Sequence, residues 1–215
     1  MTGPIFRLGV LVSGSGSNLQ SIIEKLHSGP QAIEVAVVIS DRPDAYGLER
    51  ARAAGISAAV FPPGDYRDRT GHDQAIADEL EARGVDLVVL AGYMRVVTPA
   101  LLKRFPQRVI NLHPALLPAF PGVSGIEDAL AYGVRITGVT VHFVDEGTDT
   151  GPIILQEAVD IAYNDTVASL AERIHDVEHR LLPQAIELIA AGRVGLSPDN
   201  PRKVTIRRHS PSASE

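Results

Sequence analysis

An amide and an imidazole stand two residues apart where an apolar run of the sequence ends. The segment is Asn111-Leu112-His113-Pro114, and a second proline follows at Pro118. Side chains of an extended chain repeat with a period of two, so Asn111 and His113 point the same way where the prolines end the strand. Such a pair can stabilise negative charge on a carbonyl oxygen and move a proton. The spacing is also typical of a capping Asn beside a hydrogen-bonded core His.

A loop of small residues follows the first apolar run. Residues 13–18 hold three serines and two glycines and lead directly into a helical pattern. Small residues leave backbone N–H groups free to point outward, and the positive end of a helix favours a phosphate there. The loop lacks the Lys of a Walker motif and has Leu19 where a dinucleotide fingerprint has a third glycine. It is a candidate anion cradle, or a tight turn with a polar cap.

Three charged side chains are further candidates. Asp149 lies in a turn-rich loop, where Asp is usually a turn former, but near His113 its charge would raise the pKa of that ring. Glu178 lies on or beside an apolar helical stripe, which calls for a hydroxyl-rich ligand or Arg180 as its partner, unless it lies at the solvated border. Arg95 follows an apolar run at the sheet edge where ligands bind, although a lone Arg is more often a surface charge.

The other histidines and the absence of cysteine argue against a metal site. His72 and His175 fall on polar positions of expected helices, and His27 and His209 fall near element ends, so we expect all four in solvent. The chain has no Cys, and no grouping of His, Asp and Glu has the spacing of metal ligands. The sequence therefore predicts no metal.

Composition places the chain among ordinary globular proteins. It has 215 residues, 45% of them hydrophobic and 21% charged, which suits one substantial core. A net charge of −6 argues against a large surface for nucleic acid. Pro4 and Gly9 interrupt the apolar start, and the longest apolar run, residues 85–94, is too short to cross a membrane. We expect a soluble, cytoplasmic protein that binds no membrane, with a homodimer as the working hypothesis for its assembly.

The order of elements predicts an α/β fold. Apolar runs without alternation at residues 8–12, 35–39, 87–91 and 109–112 are typical of strands covered on both faces. Helical spacing lies between them, around Leu19 to Leu26, around Leu48 to Ala54, and from Ile76 and Leu80 to a stop at Gly84. Alternating strands and helices indicate a doubly wound, mostly parallel sheet.

The pattern changes after His113. Residues 137–144 alternate and residues 153–161 are extended, so we expect antiparallel or mixed strands in the C-terminal part. A helix is predicted from about residue 166 to 190, with Asp165 as its N-cap and a kink or break at Pro183. Residues 202–208 are predicted as an edge strand, and residues 210–215 as disordered.

Five segments in the same order resemble a known family, the formyltransferases that use 10-formyltetrahydrofolate, and most closely the branch that acts in purine synthesis. They are residues 14–20 (GSGSNLQ), 47–51 (GLERA), 90–95 (LAGYMR), 111–118 (NLHPALLP), and 138–144 (GVTVHFV) leading to 149–152 (DTGP). The resemblance extends from Leu8 to about Gly192. The sequence departs from the family's pattern at Ser124-Gly125-Ile126, where relatives often carry a His and an Ala.

The resemblance implies a Rossmann-like catalytic domain over residues 1–200 and a C-terminal tail over 201–215. Its first half, to about residue 105, would bind phosphate, and its second half would bind folate and carry the catalytic set Asn111, His113 and Asp149. The loop at Gly16, Ser17 and Asn18 would hold the substrate phosphate, and Glu178 the ribose hydroxyls. The implied folate contacts are Arg69, Met94, Arg95, Val96, Val97 and Asn111.

The implied reaction is attack by the amine of glycinamide ribonucleotide on the formyl carbon of 10-formyltetrahydrofolate. One alternative keeps the folate site and changes the acceptor to methionyl-tRNA or to water, although such relatives typically append another domain. A second alternative is a non-catalytic nucleotide or folate sensor, or an oxidoreductase that holds a dinucleotide ribose through Asp41. Fold alone excludes neither, because function resides in the site.

Overall fold

The apolar runs of the sequence form the centre of the sheet. The computed structural model describes residues 4–27, 29–30 and 32–207. Its first five strands are parallel and lie in the order β3-β2-β1-β4-β5. They are β1 Phe6–Val12, β2 Ile33–Ser40, β3 Ala58–Val60, β4 Leu87–Leu90 and β5 Val109–His113. Four of them coincide with the predicted runs, whereas the three residues of β3 are too few to show a pattern.

The second half of the sheet is mixed, as predicted. Strand β6 (Ile136–Phe143) is antiparallel to β5, and β7 (Ile153–Asp160) is antiparallel to β6. A hairpin of β8 (Val194–Ser197) and β9 (Asn200–Ile206) completes the order β5-β6-β7-β9-β8. Residues 200–206 are thus a strand, but their predicted place at the edge is wrong. The preceding segment folds back on β9 and takes the edge itself, and residues 208–215 lie outside the described ranges.

Helices cover both faces of the sheet, which confirms the doubly wound architecture. They are α1 Ser17–Leu26, α2 Tyr46–Ala53, α3 Arg69–Ala82, α4 Pro99–Leu102, α5 Gly125–Tyr132 and α6 Val167–Ala190. One apolar cluster joins the sheet to α3 and α4, and the other joins it to α1 and α6. The C-terminal edge of the parallel strands stays open between these layers.

The start of α6 differs from the prediction. Its N-cap is Thr166, whose hydroxyl accepts a hydrogen bond from the Ser169 N–H (3.2 Å) while the Ser169 hydroxyl accepts one from the Thr166 N–H (3.0 Å). The predicted cap, Asp165, instead accepts from the Ala162 N–H and pairs with Arg173. The reciprocal Thr–Ser pair satisfies two N–H groups at once, and the arginine holds the Asp165 carboxylate off the helix axis.

Helix α6 runs through Pro183 without the predicted break. Proline has no N–H, so the carbonyl of His179, one turn earlier, lacks its helical donor. Two donors from α1 replace it, the Ser21 hydroxyl and the Lys25 ammonium group (2.7 Å). The proline therefore frees a carbonyl that ties α6 to α1, the helix that begins in the glycine-serine loop.

Within the described ranges, no helix is both long enough and apolar enough to cross a membrane.

We expect Thr166→Ala to lower the free energy of unfolding by about 1 kcal/mol, because an N-terminal N–H of α6 loses its acceptor. Urea denaturation followed by circular dichroism measures the change. Glu172→Ala, an exposed substitution on the same helix, is the matched control and should stay within about 0.5 kcal/mol of the parent. Equal stability of the two variants would show that the capping box contributes nothing.

Candidate active site

The end of β5 places Asn111 and His113 in one cavity together with Asp149. The cavity has a volume of about 190 Å³ and lies at the C-terminal edge of β4 and β5. Asn111 Nδ2 donates to Asp149 Oδ1 (3.3 Å), and His113 Nδ1 lies 3.4 Å from Asp149 Oδ2. The structure therefore brings together the three residues of the expected catalytic set, although 38 residues separate Asn111 from Asp149.

Backbone geometry holds the Asp149 carboxylate in place. Asp149 has a φ of +53°, a left-handed conformation that Asp tolerates better than most residues. Its Oδ2 accepts a hydrogen bond from the Gly122 N–H (2.8 Å), and its side chain is only 11% exposed. The next residue, Thr150, is also anchored, because its carbonyl accepts from Arg202 of β9 (2.8 Å).

The ring of His113 is fixed on both sides. Its Nε2 lies 2.7 Å from the Phe120 carbonyl oxygen, and that short contact with an acceptor requires the ring hydrogen to be on Nε2. A neutral ring consequently presents a bare Nδ1 to the Asp149 carboxylate. A proton on Nδ1 would point toward the Asp149 carboxylate, 3.4 Å away.

His142 belongs to the same constellation and was not among the expected site residues. Its position on β6 is opposite Asn111 in the antiparallel ladder. Its Nε2 lies 3.3 Å from Asn111 Nδ2 and 3.6 Å from Asp149 Oδ1, and its Nδ1 lies 2.8 Å from the Phe143 carbonyl oxygen. In the sequence, the alternation of His142 with Val141 and Phe143 indicates a strand residue that faces away from those two side chains. Only the register of β6 with β5 shows that its ring points to Asn111.

Burial decides the protonation of the pair. Burial lowers the pKa of His113 below its usual value, and it outweighs the opposing effects of the Asp149 charge and the Phe120 carbonyl. The charge of Asp149 acts to raise this pKa, as expected, but burial has the larger effect and the net pKa is lowered. Burial alone would raise the pKa of Asp149, but the His142 ring, the Gly122 N–H and His113 together hold it below its usual value. At neutral pH a neutral ring thus faces a charged carboxylate.

The glycine-serine loop packs too closely on α2 for larger residues. Gly16 has a φ of +68°, and a Cβ there would lie 2.6 Å from the Gly47 Cα. The Gly47 N–H donates to the Gly14 carbonyl (3.0 Å), and Arg50 Nε donates to the Ser15 carbonyl (2.8 Å). These loop carbonyls are thus bound by α2. The N–H groups of Ser17 and Asn18 lie in the first turn of α1, where they have no helical acceptor and are available to an anion.

Glu178 is buried and its partner comes from this loop. Its side chain accepts a hydrogen bond from Asn18 Nδ2 (2.9 Å), and the residue is only 6% exposed. Burial raises its pKa, against the Asn18 hydrogen bond and the charge of His175. Arg180, the partner considered from sequence, pairs with Glu157 instead, and the position is no solvated border. Asn18 and Glu178 therefore form one polar corner beside the cradle.

The expected folate residues line the wall opposite Asp149. Met94, Arg95, Val96 and Val97 border the same cavity as Asn111. Arg69 is not among the lining residues but donates to the Val96 carbonyl (2.8 Å), so it contacts the wall from the exposed side. The Ser13 N–H donates to the Gly92 carbonyl (3.0 Å). This bond joins the loop of the anion cradle to the start of the wall, so the two candidate binding regions adjoin.

The segment that departs from the family's pattern touches the site. Gly125, the first residue of α5, is buried, and a Cβ there would lie 3.4 Å from His113 Nε2 and 3.4 Å from the Phe120 carbonyl oxygen. A larger residue at this position would press on the contact that orients the imidazole. The departure at residues 124–126 thus lies beside the His113 ring.

Two of the remaining histidines differ from expectation. His72 is only 1% exposed, and its predicted solvated position is wrong because it lies four residues before buried Ile76 on the inner face of α3. His27 is half-buried and accepts a hydrogen bond from the Val35 N–H (3.1 Å). His175 is exposed as expected, and His209 lies outside the described residues. In the part of the chain that is described, no three His, Asp or Glu residues are grouped to hold a metal ion.

The chain matches a known family and named proteins over most of its length. The family profile described as "Formyl transferase" matches residues 6–186. The chain is 41% identical to phosphoribosylglycinamide formyltransferase of Bacillus subtilis over 84% of its length and 93% of that protein. It is 45% identical to the trifunctional purine biosynthetic protein adenosine-3 of Chironomus tentans over 196 residues, but spans only 14% of that protein's length.

A solved structure agrees over nearly the whole chain. Glycinamide ribonucleotide transformylase 1 of Symbiobacterium toebii superposes with a TM-score of 0.91 at 53% identity, and the match covers 95% of both chains. Phosphoribosylglycinamide formyltransferase of Bacillus halodurans gives a TM-score of 0.82 at 44% identity, covering 85% of this chain and 94% of that one. The nine-stranded sheet and its flanking helices are therefore the fold of these enzymes.

Asp149→Asn should lower the pKa of His113 further, because it removes the charge that opposes the effect of burial. An NMR titration of the ring protons measures this pKa. In the parent the folded-state pKa is below the unfolded one, so His113 stabilises the fold at high pH, and this stabilisation is lost as the pH falls from the unfolded value through the folded one.

The matched control is Glu146→Gln, which removes one charge from an exposed position in the same loop. It should leave the His113 titration unchanged. A rise of the His113 pKa in Asp149→Asn would contradict the electrostatic account.

Proposed function

The chain belongs to the formyl transferase family, and on that premise we propose that it transfers the formyl group of 10-formyltetrahydrofolate to the amine of glycinamide ribonucleotide, a step of purine synthesis. The observation that carries the proposal is the convergence of Asn111, His113 and Asp149 in one cavity beside the anion cradle. The agreement with enzymes of this activity over almost their full length supports it.

The amine nitrogen attacks the formyl carbon and forms a C–N bond, which gives a tetrahedral intermediate with a negatively charged oxygen. The Asn111 amide donates a hydrogen bond to that oxygen. The proton released by the amine goes to the His113–Asp149 pair, where bare Nδ1 faces the carboxylate at 3.4 Å. The pair returns the proton to the folate nitrogen as the original C–N bond breaks. No covalent enzyme intermediate is required.

Two effects supply most of the rate enhancement. Holding both substrates in reactive geometry lowers the barrier by roughly 7–11 kcal/mol. A preorganised donor to the oxyanion contributes about 3–4 kcal/mol, the cost of removing one such donor elsewhere. The Asn111 amide is held in place by Asp149 and the His142 ring, each 3.3 Å from its nitrogen, and in the proposed reaction one of its two N–H groups exchanges that partner for the oxyanion.

The two substrates occupy adjoining regions in this proposal. The phosphate of the ribonucleotide binds the N–H groups of Gly16, Ser17 and Asn18, and the buried Glu178 accepts hydrogen bonds from the ribose hydroxyls. The folate rings lie along Met94 to Val97, where the side chains of Met94 and Val96 are 67% and 51% exposed and available for contact. Asn111 lies at the boundary between the two. Arg69, which donates to the Val96 carbonyl, contributes to the folate side.

His113→Ala and Asp149→Ala should each lower turnover by about 10²–10⁴-fold, the usual contribution of proton-transfer groups. A spectrophotometric assay of folate deformylation, with and without glycinamide ribonucleotide, measures it. Glu146→Gln serves as the control and should retain parental turnover. Near-parental turnover in folded His113→Ala would rule out the assigned role, and formate release without the ribonucleotide would indicate a hydrolase instead.

Glu178→Ala should raise the KM for the ribonucleotide by about tenfold or more, because each ribose hydrogen bond to a charged group is worth roughly 1.5–3 kcal/mol. The KM for the folate should change little, since Glu178 does not line the folate cavity. The two values come from initial rates with one substrate saturating. A larger effect on the folate KM than on the ribonucleotide KM would contradict the assignment of Glu178 to the ribose.

A further inference from the structure

A buried hydrogen-bonded pair lies in the first turns of α3, apart from Asn111, His113 and Asp149. His72 and Asp73 are 1% and 4% exposed, which is rare for such polar side chains unless they have hydrogen-bond partners. His72 Nδ1 lies 3.2 Å from Asp73 Oδ1, and its Nε2 lies 2.9 Å from the Phe61 carbonyl oxygen. The ring also packs edge-on against Tyr66, with centroids 5.2 Å apart. Both ring nitrogens are therefore occupied.

The other carboxylate oxygen of Asp73 reaches the far end of the folate wall. Asp73 Oδ2 accepts a hydrogen bond from the Thr98 N–H at 2.5 Å, and both groups are buried. Thr98 directly follows Val97, the last residue of the wall. Asp73 thus links the imidazole of His72 to the backbone that ends the wall.

The wall needs such anchors because it has no regular structure of its own. Residues 93–98 belong to no helix or strand, so no ladder of backbone hydrogen bonds fixes them. Met94 and Val96 turn their side chains outward, which leaves only part of the segment to be held by apolar packing. The position of its backbone therefore depends on side chains that reach it from neighbouring elements.

Three anchors hold the wall along its length. At its start the Met94 N–H donates to the Ser13 hydroxyl (2.9 Å), which in turn donates to Asp41 (2.6 Å). In the middle the Val96 carbonyl accepts from Arg69 on the exposed side. At its end the Thr98 N–H is bound by Asp73. Only this last anchor is a charged, buried group supported by a second buried titratable residue.

We propose that His72 and Asp73 are positioning residues for the folate co-substrate: the pair fixes Thr98, where the Met94–Val97 wall ends, and thereby sets the affinity for folate. The proposal rests on the proposed function, because it requires folate to bind this wall. Neither side chain lines the cavity, so both act through Thr98, whose neighbour Val97 does line it. Loss of Asp73 leaves the buried Thr98 N–H without its acceptor, and loss of His72 removes the partner of the other Asp73 oxygen, so either change lets the wall move.

The test compares the two substrates in four variants. Asp73→Ala removes the anchor and should raise the KM for 10-formyltetrahydrofolate about tenfold, whereas His72→Phe keeps a ring, removes its polar contacts and should raise it about threefold. Asp73→Asn retains an acceptor for the Thr98 N–H and should recover most of the parental value. The control is Asp78→Asn, at an exposed carboxylate of the same helix that pairs with Arg104.

The split between parameters separates positioning from plain structural support. A positioning role predicts a raised KM for folate and an unchanged KM for the ribonucleotide. It also predicts little change in kcat per folded molecule, where urea denaturation measures the folded fraction. Equal changes in both KM values, or a lower folded fraction with both KM values unchanged, would overturn the proposal. If Asp73→Ala does not fold, His72→Phe and Asp73→Asn decide between these outcomes by the same criteria.

Direct folate binding distinguishes this proposal from the proposed function. Calorimetric titration with tetrahydrofolate needs no turnover, and the dissociation constant should rise in Asp73→Ala by the same factor as the KM. Absent formyl transfer in the parent would refute the proposed function while the titration still tests the wall. Active parent enzyme with equal folate affinity in all variants would refute the positioning role alone.

Discussion

The candidate active site depends on one carboxylate, that of Asp149, which contacts three side chains of strands β5 and β6. Asp149 lies within 3.6 Å of Asn111, His113 and His142, and its loop has no regular structure. Strand β6 runs antiparallel to β5 and places His142 opposite Asn111, and the loop after β6 then brings Asp149 to Asn111 and His113. The left-handed backbone of Asp149 and the Gly122 N–H then aim the carboxylate into the cavity.

The same constraint recurs across the site, since irregular backbone at the sheet edge is held by polar side chains from rigid elements. Arg50 of α2 holds the Ser15 carbonyl of the cradle, and Asp73 of α3 holds the Thr98 N–H of the wall. In the helical layer, the His179 carbonyl, which Pro183 leaves without a helical donor, accepts hydrogen bonds from α1 and so joins α1 to α6. The strands determine which way the candidate catalytic side chains point. The hydrogen bonds made by Arg50 and Asp73 determine where the candidate substrate-binding loops lie.

The elements, and the pairing of Asn111 with His113, could be predicted from the sequence because their signals are local, whereas Asp149 joined them only through the family resemblance. Continuous apolar runs mark β1, β2, β4 and β5, and the period of two puts Asn111 and His113 on one side. The net pKa direction of His113 could not be predicted because burial is a property of the whole fold, not of neighbouring residues. His142 was missed for a related reason, since only the register of β6 against β5 brings its ring to Asn111.

Other errors had signals that competing patterns obscured. His72 stands four residues before Ile76 and eight before Leu80, a helical spacing that places it on the buried face of α3. The cap of α6 was assigned to Asp165 although Thr166 and Ser169 have capping-box spacing. The place of β9 inside the sheet depended on a hairpin whose first strand has four residues. In each case the element was correct and its surroundings were not.

A double-mutant cycle on His113 and Asp149 tests most directly whether the two act as one proton-accepting unit. Single-turnover rates of formyl transfer are compared for His113→Ala, Asp149→Ala and the double variant. Residues that act as a unit show strong non-additivity, so the double variant should be no more than about threefold slower than the slower single variant. Rates that fall by the product of the two single effects would show that the carboxylate and the imidazole act independently.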